Sequence, residues 1–148
     1  EKKICFLDYD KKNGTSSYKL VTSIKDLTVL KSTGSMFYDY NVCDYTTLKP
    51  TTDRILSTDI FASLQWNPAK LGSLESIRAG DKDDVFNTSY AAARDITLDI
   101  FAKENSPSVQ ATMYNMATAI LKTAPEVELV TYELPNNHYI LFDFKWFQ

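Results

Sequence analysis

The sequence predicts an α+β fold, an antiparallel β-sheet with two helices packed on one face. Three observations predict it. Strand-like runs come in adjacent pairs at the start of the chain, the apolar period changes to helical spacing from Phe86 to Leu121, and two further strand-like runs close the chain. Strands adjacent in sequence pair as antiparallel hairpins, and two consecutive amphipathic helices form a second layer on the sheet they cover.

Ile4 to Tyr9, Ile-Cys-Phe-Leu-Asp-Tyr, reads as the first strand. Asn13-Gly14 follows, and because both residues tolerate positive φ a tight hairpin is expected there. Tyr18, Leu20 and Ile24 alternate with polar residues as a second strand, and Leu27 to Lys31 is a short third run rich in β-formers. Thr33 to Pro50 has little periodicity but holds Phe37, Tyr38, Tyr40 and Tyr45. A long irregular segment is either functional or disordered, and this many aromatic anchors argue against disorder. Strict alternation returns from Arg54 to Trp66, with Arg54, Leu56, Thr58, Ile60, Ala62, Leu64 and Trp66 on one face. Asn67 to Asp84, with Pro68, Gly72, Gly80 and several charges, reads as a connection.

Phe86, Tyr90, Ala93, Thr97, Ile100 and Phe101 then fall at helical spacing, with Arg94, Asp95, Asp99 and Lys103 facing away. Ser106 as N-cap and Pro107 at the first helical position open a second helix. Its apolar stripe is Val109, Met113, Ala117, Ile120 and Leu121, and Pro125 ends it. Val127 to Leu134 and His138 to Phe144 are strand-like runs, with Pro135-Asn136-Asn137 as the turn between them. The order is β-β-(β)-β-α-α-β-β, without an internal repeat.

The 148 residues carry 16 Lys and Arg against 19 Asp and Glu, a formal charge of −3. With 44% hydrophobic and 13% aromatic residues the chain is not of the disordered class. Its length fits one domain able to bury roughly 70% of its unfolded surface. Mild acidity argues against a nucleic-acid surface and against a polybasic membrane patch. No apolar run reaches the about 18 residues of a membrane-spanning helix, and no secretory signal is visible. Cys5 and Cys43 are too few for a disulfide framework; free thiols in a reducing compartment are expected, with one bridge as the alternative. The chain starts at Glu1 inside a charged, strand-like segment and stops at Lys145-Trp146-Phe147-Gln148, so a piece of a longer protein is expected.

Composition excludes several enzyme classes. His138 is the single histidine, so a metal site of three histidines, or of two with a cysteine, cannot be built from this chain alone. There is no glycine-rich phosphate loop, Gly-x-Ser-x-Gly elbow or Cys-x-x-Cys pair. The residues that stand out each have an ordinary structural explanation. Arg54, on an apolar face, needs an acidic or planar partner, which an internal carboxylate would supply. His138 follows a turn, where a surface histidine is the default, and Asn136 lies in that turn, where Asn is common because it tolerates turn geometry. Gln110 lies near a helix start, and Phe37 could pack within its loop.

Their surroundings carry more. Leu27-Thr28-Val29-Leu30-Lys31-Ser32-Thr33-Gly34-Ser35-Met36-Phe37 leads through Tyr40, Tyr45 and Leu48 to Arg54. This resembles the signature of the urate oxidase (uricase) family, a Leu-x-Val-Leu-Lys-Ser-Thr-x-Ser-x-Phe opening followed by spaced aromatics, Leu and Arg. Asn105-Ser106-Pro107-Ser108-Val109-Gln110-Ala111-Thr112-Met113-Tyr114 and Leu134-Pro135-Asn136-Asn137-His138-Tyr139 resemble a second and a third block of that family. The resemblance covers essentially the whole chain, in order, and is closest to fungal and yeast members. Two positions depart from close relatives: Phe61 stands in place of an Asp and Leu64 in place of a Trp.

The resemblance implies residues 1–148 as a single C-terminal tunnelling-fold (T-fold) domain, the N-terminal T-fold domain lying outside this chain. It implies a cofactor-independent oxidoreductase of purine degradation that converts urate, O₂ and water to 5-hydroxyisourate and hydrogen peroxide. It implies a homotetramer without nucleic-acid or membrane partners, peroxisomal in eukaryotes. By resemblance Phe37 stacks on urate, and Arg54 and Gln110 grip one edge of the ring. The Val109 N–H donates to it, and Asn136 and His138 lie on the dioxygen side. A Thr and a Lys completing a proton relay with His138 come from the N-terminal domain of a neighbouring subunit, so this chain alone is expected to be inactive. The alternative is a non-catalytic purine-binding or scaffold homologue. A zinc-dependent purine or pterin enzyme of the same fold would need several histidines.

Overall fold

The computed structural model describes residues 1–12, 15–47 and 49–139. Among these residues four strands form one antiparallel sheet: β1 (Lys2–Lys12), β2 (Thr15–Phe37), β3 (Thr51–Trp66) and β4 (Val127–Glu133), adjacent in chain order. Between β3 and β4 come α1 (Pro68–Leu71), α2 (Leu74–Arg78), α3 (Asp83–Lys103) and α4 (Val109–Thr123). The helices pack on the sheet and share its core. No helix among the described residues is long and apolar enough to cross a membrane.

The alternation of β3 decides which sheet face is covered. Leu56, Thr58, Ile60, Ala62, Leu64 and Trp66 are all buried, at most 3% exposed. Against them lie Leu20, Ile24 and Leu27 of β2, Ala93 of α3, Ile120 of α4 and Leu71 of α1, in one continuous core. Trp66 meets Phe86 edge-on, ring centroids 4.8 Å apart, and its indole N–H donates to Thr22 Oγ1 at 2.9 Å. A buried indole keeps a polar partner in this way. Leu64, one of the two departures, sits in this core; Phe61, the other, is half-buried opposite Glu133 of β4.

Several expectations need correction. Leu27 to Lys31 is not a separate strand but the middle of β2. Asp26 has φ 57°, and the register shifts between Ile24 and Leu27. An extra residue there inverts the alternation without ending the strand, so sequence periodicity reads one bulged strand as two. The irregular segment also starts later than expected, because β2 runs to Phe37. The connection after β3 holds the short helices α1 and α2, capped by Asn67 and Ser73. Residues flanking the expected Asn13-Gly14 hairpin pair directly, Lys12 with Thr15; the turn itself lies outside the described residues.

The second long helix starts at Val109, with Ser108 as its N-cap accepting from the Ala111 N–H at 3.2 Å. Ser106 and Pro107 precede it instead of opening it. Ser106 pairs with the end of β2: its N–H donates to the Gly34 carbonyl at 3.0 Å, and its carbonyl accepts from the Met36 N–H at 2.8 Å. Two serines precede this helix, and the sheet edge claims the first. The buried stripe of α4 is Thr112, Met116 and Ile120; Leu121 is 39% exposed. Of the strand expected from His138 to Phe144, His138 and Tyr139 are outside any strand, and the rest lies outside the described residues. Cys5 and Cys43 are exposed and unbridged.

Candidate functional site

The ladder between Ser106 and the end of β2 lays the start of α4 beside Phe37 and Arg54. Ser106 Oγ lies 2.6 Å from Thr112 Oγ1, both groups buried, which ties the approach segment to the first turns of the helix. As the first residue of α4, Val109 has a backbone N–H with no intrahelical acceptor. The first turn of α4 carries no acidic residue, so its positive dipole end is left uncompensated. That N-terminus, Phe37 and Arg54 border a cavity of about 800 Å³.

All six residues singled out from the sequence line this cavity: Phe37, Arg54, Val109, Gln110, Asn136 and His138. Among the described residues four more line it, Ile55, Met113, Leu134 and Tyr139. Sequence reasoning missed these four. Alternation puts Ile55 on the opposite face of β3 from Arg54, helical spacing puts Met113 in the apolar stripe of α4, and Leu134 and Tyr139 fall in strand-like runs. Tyr139 sits inside the third family block, beside His138, and that adjacency was the available signal.

Arg54 is half-buried. Its Nε lies 3.4 Å from Ser35 Oγ, a hydroxyl with no solvent exposure, and its guanidinium carbon is 5.5 Å from the centroid of the Phe37 ring. Among the described residues no carboxylate pairs with Arg54. Among the described residues, then, no internal ion pair accounts for the half-buried Arg54. Nor is any described residue lining the cavity acidic. Inside a chain of net charge −3 this is a local positive site, built from a guanidinium and a helix N-terminus, above an aromatic ring.

The opposite wall comes from the segment after β4, which is laid along β3. Asn136 bridges to Thr58, and the Asn137 N–H donates to the Ser57 carbonyl at 2.8 Å. Asn137 Nδ2 also donates to Asp59 at 3.2 Å. The hydroxyl of Thr28 and then the Asn137 amide hold the Asp59 carboxyl below its usual range. Asn136 Nδ2 and His138 Nδ1 lie 3.2 Å apart, and the amide donates when Nδ1 is unprotonated. His138 is exposed.

The family model described as uricase matches residues 20–148. The uricase of Cyberlindnera jadinii is 59% identical over 146 residues, which take in 99% of this chain and 47% of that protein. The uricase of Aspergillus flavus is 47% identical over 125 residues, 84% of this chain and 40% of that protein. The crystal structure of uricase from Arthrobacter globiformis matches with a TM-score of 0.71 at 33% identity, covering 98% of this chain and 53% of that one. The sheet with its helix layer is thus the T-fold that the resemblance implied. The chain spans about half the length of the curated relatives it matches.

Proposed function

The chain belongs to the uricase family, and from that premise we propose that it is the C-terminal T-fold domain of a urate oxidase. The reaction is urate plus O₂ plus water to 5-hydroxyisourate and hydrogen peroxide, without a cofactor. One observation carries this reading: Phe37, Arg54 and the start of α4 face one cavity, and no described residue lining it is an acid. Urate is a flat, polar monoanion near neutral pH. It needs an aromatic platform, planar bidentate donors and positive charge, and the cavity offers each.

In this reading Phe37 stacks on the purine. Arg54 and Gln110 clamp one edge, and the Val109 N–H donates to the same edge. Asn136 and His138 serve the side where dioxygen reacts, His138 moving a proton that a Thr and a Lys of a neighbouring subunit's N-terminal domain relay. The assembly is a homotetramer, in the peroxisome for a eukaryotic source. The test is urate consumption and peroxide release by the full-length protein. Both are expected at equal molar amounts. Binding of urate without turnover would instead mark a non-catalytic purine-binding homologue.

A further inference from the structure

We infer that Tyr40 is a positioning residue that holds the Phe37 ring in the orientation the cavity uses. This rests on the reading of Phe37 as the purine platform. The two rings are stacked, centroids 4.6 Å apart and planes inclined by 18°. Phe37 lines the cavity and Tyr40 does not, so Tyr40 covers the ring face turned away from the cavity. The Arg54 guanidinium, which also lines the cavity, lies 5.5 Å from the centroid of the same ring.

The chain is bent to make this contact. Phe37 is the last residue of β2, and a continuing strand would carry residue 40 away from it. Asp39 has φ 57°, a left-handed conformation that Asp tolerates better than most residues. The turn brings Tyr40 back onto Phe37 within three residues. The segment around it is open: Tyr38 is 43%, Val42 73% and Tyr45 92% exposed, whereas Tyr40 is half-buried.

A phenyl ring at the end of a strand can turn about two side-chain torsions. Stacking on one face removes that freedom before a flat ligand meets the other face, which lowers the entropy lost on binding. The effect belongs to ligand binding and not to proton transfer.

The experiment uses the full-length protein with Tyr40→Ala and Tyr40→Phe, measuring 8-azaxanthine affinity, urate KM and kcat, and melting temperature. Tyr40→Ala is expected to weaken 8-azaxanthine binding and raise KM about 3- to 10-fold, with kcat within about twofold and melting unchanged. Tyr40→Phe, which keeps the ring, is expected to restore wild-type values within about twofold. Wild-type affinity in Tyr40→Ala overturns the inference, and so does a Tyr40→Phe variant as weak as Tyr40→Ala. If Tyr40→Ala does not fold, Tyr40→Leu, bulky but without a π face, decides by the same comparison. A wild-type protein that neither binds 8-azaxanthine nor consumes urate overturns the site reading and this inference with it. A wild type that does both, beside an unaltered Tyr40→Ala, overturns only the role of Tyr40.

Discussion

Arg54→Ala removes a guanidinium that no carboxylate neutralises among the described residues. On the proposed function, the full-length protein is expected to lose two charge-assisted bonds to urate, each worth roughly 1.5–3 kcal/mol. The loss should show in analogue affinity by calorimetry, with melting temperature little changed. A variant that melts early but binds normally would make Arg54 structural. His138→Gln tests the other wall. An imidazole can pass protons near neutral pH and an amide cannot, so kcat is expected to fall by roughly 10²-fold or less while analogue affinity holds. An unchanged kcat and pH–rate profile in the folded variant would remove His138 from the mechanism, leaving Asn136 as this chain's remaining candidate on that side. These residues were legible one at a time only as ordinary structure. Only the resemblance of the blocks around them, from Leu27 to Phe37 and from Leu134 to Tyr139, to the uricase family singles them out.

The joint between sheet and helices has its own titration. Tyr132 of β4 lies 2.5 Å from Thr97 Oγ1 of α3, and burial pushes its phenol up to about 12. An unfolded tyrosine titrates near ~10. The fold therefore favours the protonated phenol. This contribution, on the order of 2 kcal/mol, is fully present below pH ~10 and is lost as pH rises toward about 12. Tyr132→Phe should flatten the alkaline limb of a stability-versus-pH curve measured by denaturant unfolding; an unchanged limb would place the alkaline loss elsewhere. Element types were legible because β3 alternates strictly and α3 follows a helical period. Their limits were less so. The break at Asp26 looks like the gap between two strands until the register with β3 is known. Ser106, followed by Pro107, reads as the cap until its pairing with Gly34 and Met36 is known, and Ser108 caps the helix instead.

At the scale of the molecule, the edge strand β1 is exposed along its whole length. Ile4 is 41%, Phe6 58%, Leu7 49% and Tyr9 51% exposed. An apolar strand edge of this length invites pairing with another chain unless something covers it. The cavity is likewise open, with His138 exposed at its rim. On the proposed function, in which the relay Thr and Lys come from an N-terminal domain, the isolated 148-residue chain is expected to show no urate oxidation. Adding the N-terminal domain as a separate polypeptide should restore it, measured as loss of urate absorbance. Activity in the verified 148-residue chain alone would refute this dependence. The sequence by itself determined the strand and helix periods, the covered face of β3 and the family, because these reside in local spacing and in residue identity. Only the tertiary structure decided that Phe37, Arg54, Val109, Gln110, Asn136 and His138 meet in one cavity, that no described acid lining it answers Arg54, and that Tyr40 stacks on Phe37. Those facts depend on register shifts, on one left-handed residue and on which of two serines the sheet edge takes. The register and the choice of serine are settled by contacts between segments far apart in the chain, and the left-handed turn at Asp39 has no periodic pattern to announce it.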